Sequence, residues 1–133
     1  MKNAISADVK KKLLKMQQAE LDAVPMYKSL SELVKEPKLK ETFLLLAKDE
    51  GKHAAIIKKL TGEVLMPKTT NTKVIGFMYR IFGLKAVLKM ISKGEFLAAE
   101  KYITWVEKFP ELEEVRLDEF RHGEIAQKCL NEL

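Results

Sequence analysis

The whole chain carries two histidines, and each stands three residues after a glutamate that itself follows an aspartate: Asp49-Glu50-Gly51-Lys52-His53 and Asp118-Glu119-Phe120-Arg121-His122. Helix positions three apart share a face, so each pair can aim one carboxylate and one imidazole at a single point. Upstream of each pair lies a second matched segment. Around Glu20 it reads Ala19-Glu20-Leu21-Asp22-Ala23-Val24-Pro25-Met26-Tyr27, and around Glu95 it reads Gly94-Glu95-Phe96-Leu97-Ala98-Ala99-Glu100-Lys101-Tyr102. Both have the form small-Glu-x-x-Ala-x-x-x-Tyr. Each is followed by a proline-led segment, at Pro37 and Pro110, that carries Asp-Glu-x-x-His. The chain is therefore an internal repeat, roughly residues 5–60 and 84–130, and its fold must let two similar helix pairs surround one centre.

The remaining pattern agrees with helices throughout. Six glycines and four prolines in 133 residues leave few turns, which favours long helices over short strands. Ser6 or Asp8 caps a first helix, in which Leu13, Leu14, Gln17, Leu21, Val24, Leu30 and Leu33 or Val34 recur at helical spacing to about Lys35. Pro25 removes one backbone donor inside it and predicts a kink. A second helix runs from Pro37 to about Leu60 and stops at Thr61-Gly62. Residues 61–83 read as the crossover, with a loop from Glu63 to about Thr72. A third helical region spans about Lys73 to Lys108, with a break near Gly83 or Gly94. The last helix follows Phe109-Pro110. The expectation is one domain over residues 1–133, an all-α four-helix bundle with one crossover connection.

Four glutamates and two histidines are a set with recognisable chemistry. Carboxylates are hard donors that can bridge two metal ions, and one imidazole for each ion adds a nitrogen ligand. Iron, manganese or a mixed pair fit such donors equally. The single cysteine, Cys129, excludes an internal disulfide and any site built on paired cysteines, and it reads as a small buried residue. Taken alone, a Glu-x-x-His on a helix is most often surface decoration; the doubling and the matched Glu20 and Glu95 segments turn the balance toward ligation.

These motifs resemble those of ferritin-like di-iron proteins of the rubrerythrin and bacterioferritin type, and the chain looks nearest to the rubrerythrin-like domains related to the erythrin domain of vacuolar-type iron transporters. The resemblance implies two iron ions held by Glu20, Glu50 and His53 from one half and Glu95, Glu119 and His122 from the other, with Glu50 and Glu119 bridging. It implies that Asp49 and Asp118 accept hydrogen bonds from ligand histidines, and that Tyr27 and Tyr102 steady ligand carboxylates. It also implies a peroxidase or ferroxidase activity on peroxide, oxygen or Fe(II), or else a non-catalytic iron-binding module. Two departures stand out. The four-cysteine rubredoxin domain is missing, so any electron donor must be a separate protein. Ala98 occupies a position where rubrerythrins often carry a further glutamate, for which Glu100 is the substitute at hand.

Charge and the apolar stretch raise further expectations. The net charge of +5 comes from lysines spread along the chain, which reads as a solvated surface; binding to nucleic acid ranks last because it leaves the doubled motif unexplained. The segment from Val74 to Ile91 is apolar with interspersed Lys and Arg. It suits a homodimer interface, or less well a membrane-surface helix. Met1-Lys2-Asn3-Ala4 lacks the apolar run of a signal peptide, and the expected location is the cytoplasm.

Overall fold

The computed structural model describes residues 5–133, so the reading of Met1 to Ala4 lies outside the described residues. Four helices follow in order: α1 (Ala7–Leu33), α2 (Pro37–Thr61), α3 (Thr70–Lys108) and α4 (Glu113–Asn131), the last entered through a single 3-10 turn at Pro110–Leu112. Among the described residues there is no strand, and the fold is an all-α ferritin-like bundle. No helix there is long and apolar enough to cross a membrane.

The boundaries have local causes. The Ser6 side chain accepts from the Val9 amide at 3.1 Å and starts α1. Pro37 sits in the first turn of α2, where its missing N–H is no loss, and Gly62 ends that helix in the left-handed region at φ 71°. Helix α1 continues through Pro25 as one element: a proline removes one bond of the ladder, and packing on α2 keeps the rest.

The crossover keeps the expected outline, with a slightly shorter loop. The non-helical connection covers only residues 62–69, and α3 begins at Thr70. Its break falls at Gly83 (φ 84°, ψ −179°), while Gly94 is helical. Residues 70–82 thus form a helical arm within the crossover span, beginning three residues before the expected start at Lys73. The short connection is tied to α1: Gln17 Nε2 donates to the Glu63 carbonyl (2.9 Å), Gln18 Nε2 to the Met66 carbonyl (2.8 Å), and the Lys68 amide to Asp22 (2.7 Å).

Two apolar clusters fill the bundle. One gathers Tyr27, Leu30, Phe43, Leu46, Val87 and Leu88; the other gathers Leu13, Ile57, Tyr102, Leu112 and Val115. On every helix the glutamates and histidines of the repeat lie between the residues of these two clusters. The polar centre is therefore closed above and below by hydrophobic layers.

Candidate metal centre

Each helix delivers its share because the ligand spacing matches the helical turn. Glu20 comes from α1, Glu50 and His53 from α2, Glu95 from α3, and Glu119 and His122 from α4. All six are buried, and both imidazoles are fully so. Their donor atoms form two groups in which every atom lies within 4.8 Å of the others: Glu20, Glu50, His53 and Glu119, and Glu50, Glu95, Glu119 and His122. Glu50 and Glu119 belong to both. The two rings stack 5.8 Å apart between centroids.

The Nδ1 atoms face inward. His53 Nδ1 lies 3.1 Å from Glu20 Oε1 and 3.1 Å from Glu119 Oε1; His122 Nδ1 lies 3.1 Å from Glu50 Oε1 and 3.2 Å from Glu95 Oε2. The Nε2 atoms face outward, and each meets the aspartate of the opposite half: His53 with Asp118 at 2.8 Å and His122 with Asp49 at 2.9 Å. A carboxylate on Nε2 holds the proton there and leaves the Nδ1 lone pair for a cation. Arg121 then spans both aspartates, with Nη2 3.1 Å from Asp49 and 3.0 Å from Asp118.

The tyrosines are unequal. Tyr27 donates to Glu95 Oε1 at 2.8 Å, from α1 across to α3. Tyr102 is also buried, though less completely, and makes no hydrogen bond with a described residue. Glu100 is exposed on another face and stands outside both ligand groups. Sequence reasoning does not reach Arg121, although its place between Glu119 and His122, matching Lys52 in the first half, is the available signal.

So many charges in an apolar interior displace the titrations. Burial, then the neighbouring Glu50 and Glu119, drive Glu20 well above the ordinary carboxyl range. Burial is also the main cause that lifts Glu95 to about 8, against the opposing His122 hydrogen bond. Burial lowers His122, but the close carboxylates of Glu119, Glu50 and Glu95 outweigh this and push it up to about 12. Burial would raise Glu119, yet the two histidines hold it down at about 2. In the metal-free protein the imidazolium protons supply part of the positive charge that the carboxylates demand.

Two buried atoms test whether metal ions fit. Glu50 Oε1 and Glu119 Oε1 have no hydrogen-bond partner. They lie near both Nδ1 atoms, at 3.1 to 3.5 Å, without the alignment a hydrogen bond needs. Buried carboxylate oxygens left this way are costly unless a cation takes them. The orphaned atoms are the two shared by both ligand groups, so the residues fit a carboxylate-bridged pair of metal ions.

Comparison with known proteins agrees with this geometry. A relative from Nostoc sp., magnesium-protoporphyrin IX monomethyl ester [oxidative] cyclase 1, is 29% identical over 126 residues, covering 84% of this chain and 36% of the relative. This chain thus spans about a third of that protein's length. No solved structure matches. The family model for rubrerythrin matches residues 12–130, a span that holds all four helical ligand segments. With the doubled motif, the bundle and the buried Glu/His centre in agreement, the chain belongs to the rubrerythrin family.

Proposed function

We propose that the centre holds two iron ions and that the protein uses Fe(II) to reduce peroxide or oxygen, in the manner of a rubrerythrin-like peroxidase or a ferroxidase. The observation that carries this reading is the pair of orphaned oxygens on Glu50 and Glu119, each shared by the two ligand groups. Four carboxylates balance the charge of two divalent ions and tolerate their oxidation. When bound, the irons supply the two electrons that cleave the oxygen–oxygen bond of peroxide.

The chain's own groups do the rest. Glu20 and His53 would hold one ion and Glu95 and His122 the other, with Glu50 and Glu119 available to both. Asp118 and Asp49 hold the histidine Nε2 protons and so present Nδ1 to the ions. Tyr27 steadies Glu95 by its hydrogen bond. The apolar layers on either side exclude water. The one cysteine here, Cys129, makes no four-cysteine iron site, so electrons for repeated turnover would reach the centre from outside this bundle. The expected homodimer would form on the exposed stripe of Val74, Phe77 and Ile81 on the helical arm of α3.

The test is anaerobic loading with Fe(II), metal analysis, and addition of peroxide. Two irons in each chain, with one peroxide consumed for every pair oxidised, is the expected result, and Glu119→Ala should lose both. Iron retained without oxidation would leave a binding or regulatory module. No retained iron would sink the di-iron reading.

A further inference from the structure

A groove of about 410 Å³ runs along the seam between α1 and α3 and reaches the metal centre at Glu20. Met16 and Ala19 from α1 and Leu97 and Ala98 from α3 form its walls, with the buried Glu20 and Tyr102 on its inner side. Leu13 and Tyr102 share one apolar cluster, so the start of α1 lies beside the end of α3. The exposed Lys15 and Lys101 therefore stand at the same end of the groove. The volume is within the usual range for small-molecule sites.

The groove coincides with a break in the pseudo-symmetry of the two halves. Tyr27 spends its hydroxyl on Glu95 at 2.8 Å. Tyr102, its counterpart, is only 4% exposed, lines the groove, and has no hydrogen-bond partner among the described residues. Its hydroxyl is not one of the sealed, orphaned atoms of the interior, so it opens onto the groove as a free donor. Ala98 keeps the space beside it open; a longer acidic side chain there would fill and charge it.

We propose that this groove binds a phenolic carboxylic acid, with its carboxylate between Lys15 and Lys101, its ring against Met16, Leu97 and Ala98, and its hydroxyl oxygen accepting from Tyr102. Each feature selects part of that ligand. The lysines attract an anion at the outer end, whereas Glu20 and the carboxylates behind it repel one at the inner end. The walls are apolar, and Met16 brings a thioether suited to an aromatic ring. From Lys101 to Gly94, which also lines the groove, is about two helical turns, roughly 10 Å, the length of a ring with a short acid chain. As a substrate site the groove rests on the di-iron reading; as a binding site it does not.

Calorimetry with para-hydroxyphenylpropionate and with phenylpropionate, on the full chain as isolated and after chelation, tests the proposal. The hydroxy acid should bind both forms and bind more tightly than its analogue. Tyr102→Phe should weaken the hydroxy acid about tenfold and leave phenylpropionate unchanged, a difference that a merely structural tyrosine would not produce. Lys15→Glu combined with Lys101→Glu should weaken both acids by about tenfold or more, and Ala98→Trp should abolish binding by filling the groove. No binding, or binding that none of these variants changes, would overturn the proposal. Iron content measured on the same samples separates the two readings: iron uptake without acid binding removes the groove alone, and acid binding without iron removes the di-iron centre alone.

Discussion

Arg121 is half exposed, yet its guanidinium touches both aspartates that orient the ligand histidines. It closes a chain from solvent to the centre: Arg121 to Asp118 to His53, and Arg121 to Asp49 to His122. The aspartates carry more weight than the arginine, because they lie closer to the buried rings, whereas the exposed ion pairs are screened by water. Asp118→Ala should therefore lower metal affinity by about 10- to 100-fold, read by competition with a chelator of known strength. Arg121→Ala should lower it less. Equal affinity in Asp118→Ala and the parent would show that His53 needs no partner on Nε2. Gly123, next to His122, shows a different constraint at this scale: a Cβ there would meet the Phe96 ring at 2.8 Å, so α3 and α4 approach through that gap.

At the scale of the element, α3 distinguishes its two glycines. Gly83 has φ 84° and ψ −179°, a conformation nearly closed to residues with a side chain, while Gly94 is helical and an added Cβ would meet nothing within 4 Å. Gly83→Ala should destabilise the protein by about 1–3 kcal/mol, and Gly94→Ala should stabilise it by about 0.5–1 kcal/mol; urea unfolding midpoints measure both. Opposite signs would move the bend away from Gly83. The same pair shows where sequence reading runs out. Both glycines are legible as candidate breaks, but the choice depends on where the arm leaves the bundle, which no local pattern encodes. Pro25 is similar, since the helix continues when neighbours hold it. The six candidate ligands were legible because Glu-x-x-His is a local spacing, as was the matched position of Glu20 and Glu95. The crossing of Asp49 to His122 and Asp118 to His53 was not, because it depends on how α2 and α4 face each other.

For the whole molecule, the centre is an electrostatic load that the bundle carries between two apolar layers. Without metal, several of its groups hold protons in the folded state that they release on unfolding. Glu95 titrates at about 8 rather than 4.5 because burial disfavours its charge, and Glu20 moves the same way. For His122, the close carboxylates of Glu119, Glu50 and Glu95 overcome the effect of burial, giving about 12 rather than 6.5. A raised folded-state pKa contributes stability that is fully present below the unfolded value and is lost as pH rises through the folded one. For Glu95 the loss runs from 4.5 to about 8, and for His122 from 6.5 to about 12. Glu119, held at about 2 against the effect of burial by the two adjoining histidines, acts in the opposite sense, but only below 4.5. The metal-free protein should therefore lose roughly 5 °C or more in melting temperature between about pH 5.5 and about pH 8.5. Metal ions replace the protons on the histidines and carboxylates, so their affinity rises with pH and they should stabilise most at the alkaline end. Circular-dichroism melts with chelator and with added metal measure both trends. A chelated protein whose melting temperature stayed level or rose across that window would mean that the buried glutamates and histidines do not hold those protons. The charge balance of the centre would then have to be met by some other group.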